Sequence, residues 1–582
     1  MHEADSVTVV GPEEPPTQGG AAQPKLGDGE GAIPYGAVKH PLTSCRFRTS
    51  LVLQGTNPAA GLPSFLQIEK TVIHVSRRVL TIVLAEATLD LLVPWADAGK
   101  LPVFARLMAS GTWGRLRSQM PMVTPQICGT LVTGRSPGQH GLMEFWQRGA
   151  DGQFRETQGS TLRAPTIWQV LGEQGLESAI LNLPFTYPPP RLKGFMIAGE
   201  DAPGVHPSIA QPRELLKEVT ARFGRYRLKD TFPGGRQKSD YLTLIDTDVR
   251  AQTDVFAHLL ATKSWDFGLI FFSHTAMCQH YFWGDMESAD PSNPYRGVVE
   301  SAYRALDTAV GRLIEAAGED TNVIVVSDAG AGPLYSGVNL NTLLAQEGFL
   351  RHRASTAANR KTDVTLPERI RRSALARLRK SPWYFRVNHY LKPLKAWMQS
   401  QRDGSGIDWS RTRAYSRGQW GHIYVNLKGR DPNGIVEPAD YDRVCTEIAA
   451  KLTSIVDPGR GERAVQRVWR RDELYHGPGV EYAPDLIVDW RDGAYMPNDR
   501  DRGESTVFAP RFRQYMSWPT TGSHRLDGVL IAAGPDIHAG TRLHGARLID
   551  IMPTWLTLLG LPVPKELEGR PLYNLLERRK AS

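Results

Sequence analysis

A chain of 582 residues with 41% hydrophobic and 22% charged content can bury a large core, and no apolar run reaches the ~18 residues of a membrane-spanning helix. Its net charge of +8 invites a nucleic-acid reading. However, fourteen Lys/Arg against Asp363 and Glu368 lie between Arg351 and Arg402, a local +12 that leaves −4 for the rest. The four cysteines (Cys45, Cys128, Cys278, Cys445) form no CxxC pair or disulfide framework, and the acidic start, without a basic region followed by an apolar one, leads to the expectation of no secretory signal. Both features point to a reducing, cytoplasmic setting.

Residues 1–75 are rich in Gly, Pro, Ala and Glu without sustained periodicity. That composition predicts a disordered arm; the alternative is a translation start nearer Val75 or Val79. From Val79 the pattern changes. Val79–Leu84 reads as a buried strand, and Leu101–Ser110 has helical spacing. Ser178–Leu183, Phe267–Phe272, Asn322–Ser327 and Gly528–Ala533 read as further apolar strands, with helices between them such as Tyr303–Ala317 and Pro438–Ile455. Strand–helix alternation with fully apolar strands predicts an α/β domain over 76–575, a largely parallel sheet covered on both faces. Ligands in such sheets bind beyond the carboxyl ends of the strands. A basic, aromatic segment at 351–410 reads as a helical insertion. Three roles suit it: a solvated cap, an electrostatic guide for an anionic substrate, or a nucleic-acid or anionic-membrane contact. No nucleic-acid motif supports the last.

The segment around which the chain is organised is MVTPQICGTLVTGRSPGQHG, Met122–Gly141, with Thr124 ten residues before Gly134. LNLPFTYPPP, CQHYFW, VVSDAGAGPL, GHIYVNLKGRDPNGIV, APDLIV, TGSHRLDGVLIAAGP and LIDIMPTWLTLLGLP follow in order. From about Val79 to Leu575 the chain resembles the type I phosphodiesterase/nucleotide pyrophosphatase branch of the alkaline phosphatase superfamily. The resemblance implies a three-layer α/β/α sandwich, a threonine nucleophile and two metals, usually zinc. It also implies a phosphorylated or otherwise anionic small-molecule ligand. Two metals suit phosphoryl transfer because one activates the attacking oxygen and the other steadies the remaining charge.

Carried over residue by residue, the resemblance makes Thr124 the nucleophile and Asp328, His280 and His524 metal ligands. Three further ligand positions hold Ala85, Ala276 and Ala329. A methyl group donates no lone pair, so the chain is expected to bind one zinc or none. Glu86, His274 and Cys278 are the candidate substitutes. Each has a plainer role available. Glu86 sits one residue past the lost position, where a regular strand turns its side chain to the other face, and suits a cap or a salt-bridged carboxylate. His274 suits a hydrogen-bonded loop histidine, and Cys278 a small core residue. Thr124, followed by Pro125, suits a helix N-cap. His280 and His524 can simply pack.

Three functions follow. The first is a homologue with a dismantled two-metal site that binds an anionic phosphate-type ligand without hydrolysis or with altered chemistry. The second is a working metal-dependent phosphoric ester hydrolase using Thr124 and substitute ligands. The third is a scaffold acting through the basic insertion.

Overall fold

The computed structural model describes residues 78–149, 151–228, 237–353, 406–418, 420–498, 506–510, 512–513 and 518–576, with the backbone alone of 48–49 and 70–71. The chain divides into two units, Met1–Val72 with Ala581–Ser582, and Ile73–Lys580. In the first, Arg48–Thr49 pairs antiparallel with Lys70–Thr71. The remainder of the expected N-terminal arm lies outside the described residues, as does the basic insertion from 354 to 405. Among the described residues no helix is long and apolar enough to cross a membrane.

The second unit is built on a nine-stranded sheet. Its strands in chain order are β1 (Arg78–Leu84), β2 (Thr112–Arg117), β3 (Ser178–Leu181), β4 (Gly194–Ile197), β5 (Ala210–Gln211), β6 (Phe267–Phe272), β7 (Thr321–Val326), β8 (Asp527–Ala533) and β9 (Thr541–Arg547). Their spatial order is β9-β2-β8-β7-β1-β6-β3-β4-β5. The centre, β7-β1-β6-β3-β4, is parallel throughout. Antiparallel pairings join β7 to β8, β8 to β2 and β4 to β5. The predicted strand Gly528–Ala533 is therefore present, but it runs against its neighbours.

Side-chain alternation divides the sheet into two apolar faces. From β1, Leu80, Ile82 and Leu84 enter one core and Val79 and Val83 the other, with Ala85 just after the strand joining the second. From β7, Val323 and Val325 enter the first core, and Ile324 and Val326 the second. Each fully buried aliphatic side chain contributes about 1.5–3 kcal/mol. The first face is covered by α1 (Leu89–Asp97), α2 (Pro102–Ser110), α4 (Tyr241–Thr262), α5 (His274–Met286) and α6 (Val298–Ala317); the second is covered by α3 (Thr124–Thr133) and the helix Ile551–Leu558. This is the expected three-layer α/β build. A smaller four-stranded sheet, formed by Ala414–Ser416, His422–Val425, Leu486–Trp490 and Val465–Arg470, has its own apolar core with the helix Tyr441–Thr453.

Candidate metal centre

Three parallel neighbours end together. Leu84 of β1 is in register with Phe272 of β6, and Val83 with Val326 of β7. The segments leaving these strands carry Glu86, α5 and Asp328, so the topology alone places them at one edge. His280 lies within α5, less than two turns from its start. His524 arrives from far along the chain. Its short strand, Gly522–Arg525, pairs with Gly330–Pro333, setting His524 opposite Ala331 just beyond Asp328.

Strand periodicity would turn Glu86 away, but β1 ends at Leu84 and Glu86 takes a left-handed backbone with φ +59°. Neighbours hold that turn from every side. Asp328 Oδ1 accepts the Glu86 N–H at 2.9 Å. Gln279 Nε2 donates to the Glu86 carbonyl at 2.8 Å, and the Thr275 hydroxyl donates to the Ala85 carbonyl. Tyr303 donates to Gln279 Oε1 at 3.0 Å and accepts the Thr88 N–H at 2.9 Å. A bulky residue at positive φ is costly, and this set of bonds offsets the cost.

The result is a close group of three donors. Glu86 Oε1 lies 3.2 Å from His280 Nε2 and 3.0 Å from His524 Nε2, and the two imidazole nitrogens are 3.3 Å apart. It is the sole Glu/His/Cys/Asp group of three or more with metal-binding proximity among the described residues. Tetrahedral zinc with bonds of ~2.0–2.1 Å has edges of ~3.3 Å between ligand atoms, so this triangle matches one face of such a tetrahedron. A plain salt-bridged cluster would spread two imidazoles over two carboxylate oxygens. Here both meet Oε1, while Oε2 is buried without a hydrogen-bond partner. His280 Nδ1–H donates to the Gly522 carbonyl at 3.0 Å, which leaves the Nε2 lone pair facing inward. Backbone bonding of this kind orients metal-ligating histidines. The residues present therefore fit a single cation.

The electrostatics agree with the geometry. Burial would raise the Glu86 carboxyl, but the adjacent His280 and His524 hold it far below the ordinary carboxylate range. Burial pushes His280 down, yet Glu86 lifts it above its usual value. His524 falls, chiefly through burial, with His280 adding to the effect and Glu86 opposing it. Asp328 is pushed up to about 7 by burial, and the Glu86 charge adds to this.

The other sequence-derived candidates divide clearly. Asp328 adjoins the group, but its Oδ1 is engaged by the backbone N–H groups of Glu86 and Ala329. His274 is buried against Asp248, 3.4 Å from Nε2 to Oδ2, rather than in a loop or in the donor group. Cys278 is buried in the core with its thiol pushed up by desolvation, and it too stands outside the group. Thr124 is the first residue of α3, half-buried, and Val123 occupies the cap position; the N-cap alternative is corrected on this point. Met122, two residues earlier, lies beside His524: a side chain at Gly493 would strike both. Ala85, Ala276 and Ala329 all fall in the apolar cluster that includes Met122 and Cys128.

Residues without a sequence signal complete the surroundings. Gln279, Thr275 and Tyr303 hold the Glu86 turn. Ser118 donates to the Asp328 carbonyl, tying the segment ahead of Thr124 to the site. Trp420 packs against His524 with ring centroids 4.3 Å apart.

Donors gathered at the carboxyl edge of a mostly parallel sheet, beside a helix that begins on threonine, are the build of the alkaline phosphatase superfamily, and this chain has it. Within that class the family model for type I phosphodiesterase / nucleotide pyrophosphatase matches residues 79–515, and the chain belongs to that family. Among solved structures it is similar to phosphonoacetate hydrolase from Sinorhizobium meliloti in complex with phosphonoformate. That match has 14% identity and a TM-score of 0.50, covering 85% of this chain and 97% of the other. Human ectonucleotide pyrophosphatase / phosphodiesterase 5 matches with 12% identity and a TM-score of 0.48, covering 86% and 99%. The mouse counterpart matches with 12% identity and a TM-score of 0.46, covering 86% and 100%. No curated protein matches the chain.

Proposed function

We propose that this chain is a chemically altered member of its family, one that handles a phosphorylated or phosphonate-type small anion at a single cation held by Glu86, His280 and His524. The observation that carries the reading is the convergence of three lone-pair atoms, 3.0 to 3.3 Å apart, from three separate elements. A divalent ion there supplies Lewis-acid charge for an anionic oxygen. The rest falls to the chain. Thr124 would supply the hydroxyl from the first position of α3. Asp328, Gln279, Thr275 and Tyr303 fix the Glu86 turn. The Ala85–Ala276–Ala329 wall offers no donor for a second ion, so two-metal phosphoryl transfer is not the working chemistry.

Metal analysis of the purified full chain tests this. One zinc or comparable divalent ion per chain is expected, lost together with inorganic phosphate binding on substitution His280→Ala. Two tightly bound ions per chain, or none after zinc loading, overturn the reading. Thr124→Ala then separates hydrolysis from binding: any turnover of an aryl phosphonate ester or phosphodiester that survives it does not use this hydroxyl.

A further inference from the structure

Several tryptophans have indole N–H groups that are buried without an acceptor: Trp168, Trp420, Trp469, Trp490, Trp518 and Trp555. Five of them are accounted for by packing. Trp168 and Trp555 belong to the apolar core on the α3 side of the sheet, Trp518 packs on the opposite core, Trp490 lies in the core of the small sheet, and Trp469 packs on a fourth cluster. Trp420 belongs to none of these clusters. Its ring lies against the His524 imidazole, centroids 4.3 Å apart and planes tilted by 58°.

Its position is set by the hairpin loop between Ala414–Ser416 and His422–Val425. Two left-handed glycines, Gly418 at φ +91° and Gly421 at φ +83°, bracket the turn. At Gly421 a side chain would meet Val488 Cβ at 2.8 Å and Trp490 Nε1 at 2.9 Å, so the loop is pressed onto the small sheet there. Arg417, at the loop's base, stacks over Phe154 at 4.1 Å. The small sheet thus delivers one aromatic side chain to a donor of the large sheet's site.

Trp420 thus stands outside the apolar clusters, touches a site histidine and keeps a buried indole N–H without an acceptor. Leaving a buried donor unsatisfied is unfavourable, and a bond from it to a charged acceptor is among the stronger kinds. We propose that Trp420 is an anion-binding residue: its ring walls the site beside His524, and its Nε1–H donates to an oxygen of the bound phosphate- or phosphonate-type anion. This rests on the single-cation reading above. The small sheet then contributes ligand recognition, while the large sheet contributes the cation.

The test uses the full chain loaded with zinc, titrated calorimetrically with inorganic phosphate and with phenylphosphonate. Trp420→Phe keeps an aromatic wall and removes the N–H; Trp420→Leu removes both. Zinc affinity and thermal midpoint are expected to stay at wild-type values in Trp420→Phe, while both anions bind about tenfold more weakly. Trp420→Leu should weaken phenylphosphonate further than phosphate, because the wall is lost as well. Wild-type anion affinity in Trp420→Phe overturns the assignment of Trp420 and leaves the cation site standing. A zinc-loaded wild-type chain that binds neither anion overturns the underlying reading, and this one with it. Loss of zinc binding in Trp420→Phe makes the residue a prop for His524 and also overturns it.

Discussion

Substitution of Glu86 by glutamine separates a cation site from a hydrogen-bonded triad. The glutamine keeps the size of the side chain and one carbonyl oxygen, but removes the charge that sits 3.0 Å from His524 Nε2 and 3.2 Å from His280 Nε2. Removing an outer partner of a metal ligand costs roughly 10–100-fold in metal affinity. Replacing the one anionic donor of three with a neutral amide oxygen should therefore cost more than about 100-fold, or over ~2.7 kcal/mol. Asp328→Ala provides the graded comparison. It leaves all three donors in place and removes the oxygen that accepts the Glu86 N–H, so the loss should fall in the 10–100-fold range. Calorimetric titration of the metal-free chain with zinc reads both values. Cobalt substitution adds a visible spectrum whose intensity reports four-coordination. If Glu86→Gln binds zinc as tightly as the wild-type chain, the group is a structural hydrogen-bonded cluster. The same holds if Asp328→Ala weakens binding more than Glu86→Gln does.

Three further outcomes are expected. Ala276→Asp restores a carboxylate at a family ligand position but places it, 8% exposed, in an apolar cluster; without metal it should destabilise the fold by several kcal/mol, as read by urea denaturation in chelator, and wild-type stability there would contradict the apolar-wall description. Tyr303→Phe leaves both the Thr88 N–H and Gln279 Oε1 without their partner and should cost about 1–3 kcal/mol, with zinc affinity falling too if the Glu86 turn depends on this chain of bonds. His140 gives a pH dependence: burial holds its folded pKa down to about 3, and Nδ1 accepts the Leu142 N–H while Nε2–H donates to Thr130 Oγ1 at 3.2 Å, so the fold admits only the neutral ring. The unfolded chain takes the proton first, near pH 6.5, so this contribution is complete above pH 6.5 and declines as pH falls toward 3, by about 2 kcal/mol at pH 5. Denaturation midpoints at pH 7.5 and pH 5 should converge in His140→Asn relative to wild type; an unchanged difference argues against His140 as the source.

The strands that the sequence made legible are those whose burial is continuous. Phe267–Phe272 was expected and found with the same ends, because six consecutive apolar residues between a polar stretch and a helix leave little choice. Helix α4, among the helices expected between the strands, was not singled out, and its buried face is not apolar throughout. Asp248 is fully buried there and answers to His274 and Arg227, which no periodicity reveals. The small sheet was missed for a different reason. Its strands Ala414–Ser416 and His422–Val425 are short, and the second partner of His422–Val425, Leu486–Trp490, lies some sixty residues on, so pairing rather than local pattern defines them. At the site, the residue types of Glu86, His280 and His524 could be read from order and spacing. Which of six candidates converge could not, because that depends on a left-handed backbone at one non-glycine residue.

That backbone reversal is the central structural event of the site. Moving a ligand one position along a strand sends it through the sheet to the opposite face, so the loss of a donor at Ala85 is not repaired merely by having a carboxylate at 86. Repair requires the chain to leave strand geometry within one residue of Leu84, and it does so. The turn is stabilised by Asp328, which gives Oδ1 to the Glu86 N–H, and by Gln279 and Thr275 from α5, the helix that also carries His280. Helix α5 thus supplies both a donor and the clamp that aims another. Ala85, Ala276 and Ala329 pack with Met122 and Cys128 in one apolar cluster. Here one half is apolar and packed, and the other half has a re-aimed carboxylate with a fixed turn beneath it. On the proposed reading, that pairing of an apolar half with a donor half suits one cation position rather than two.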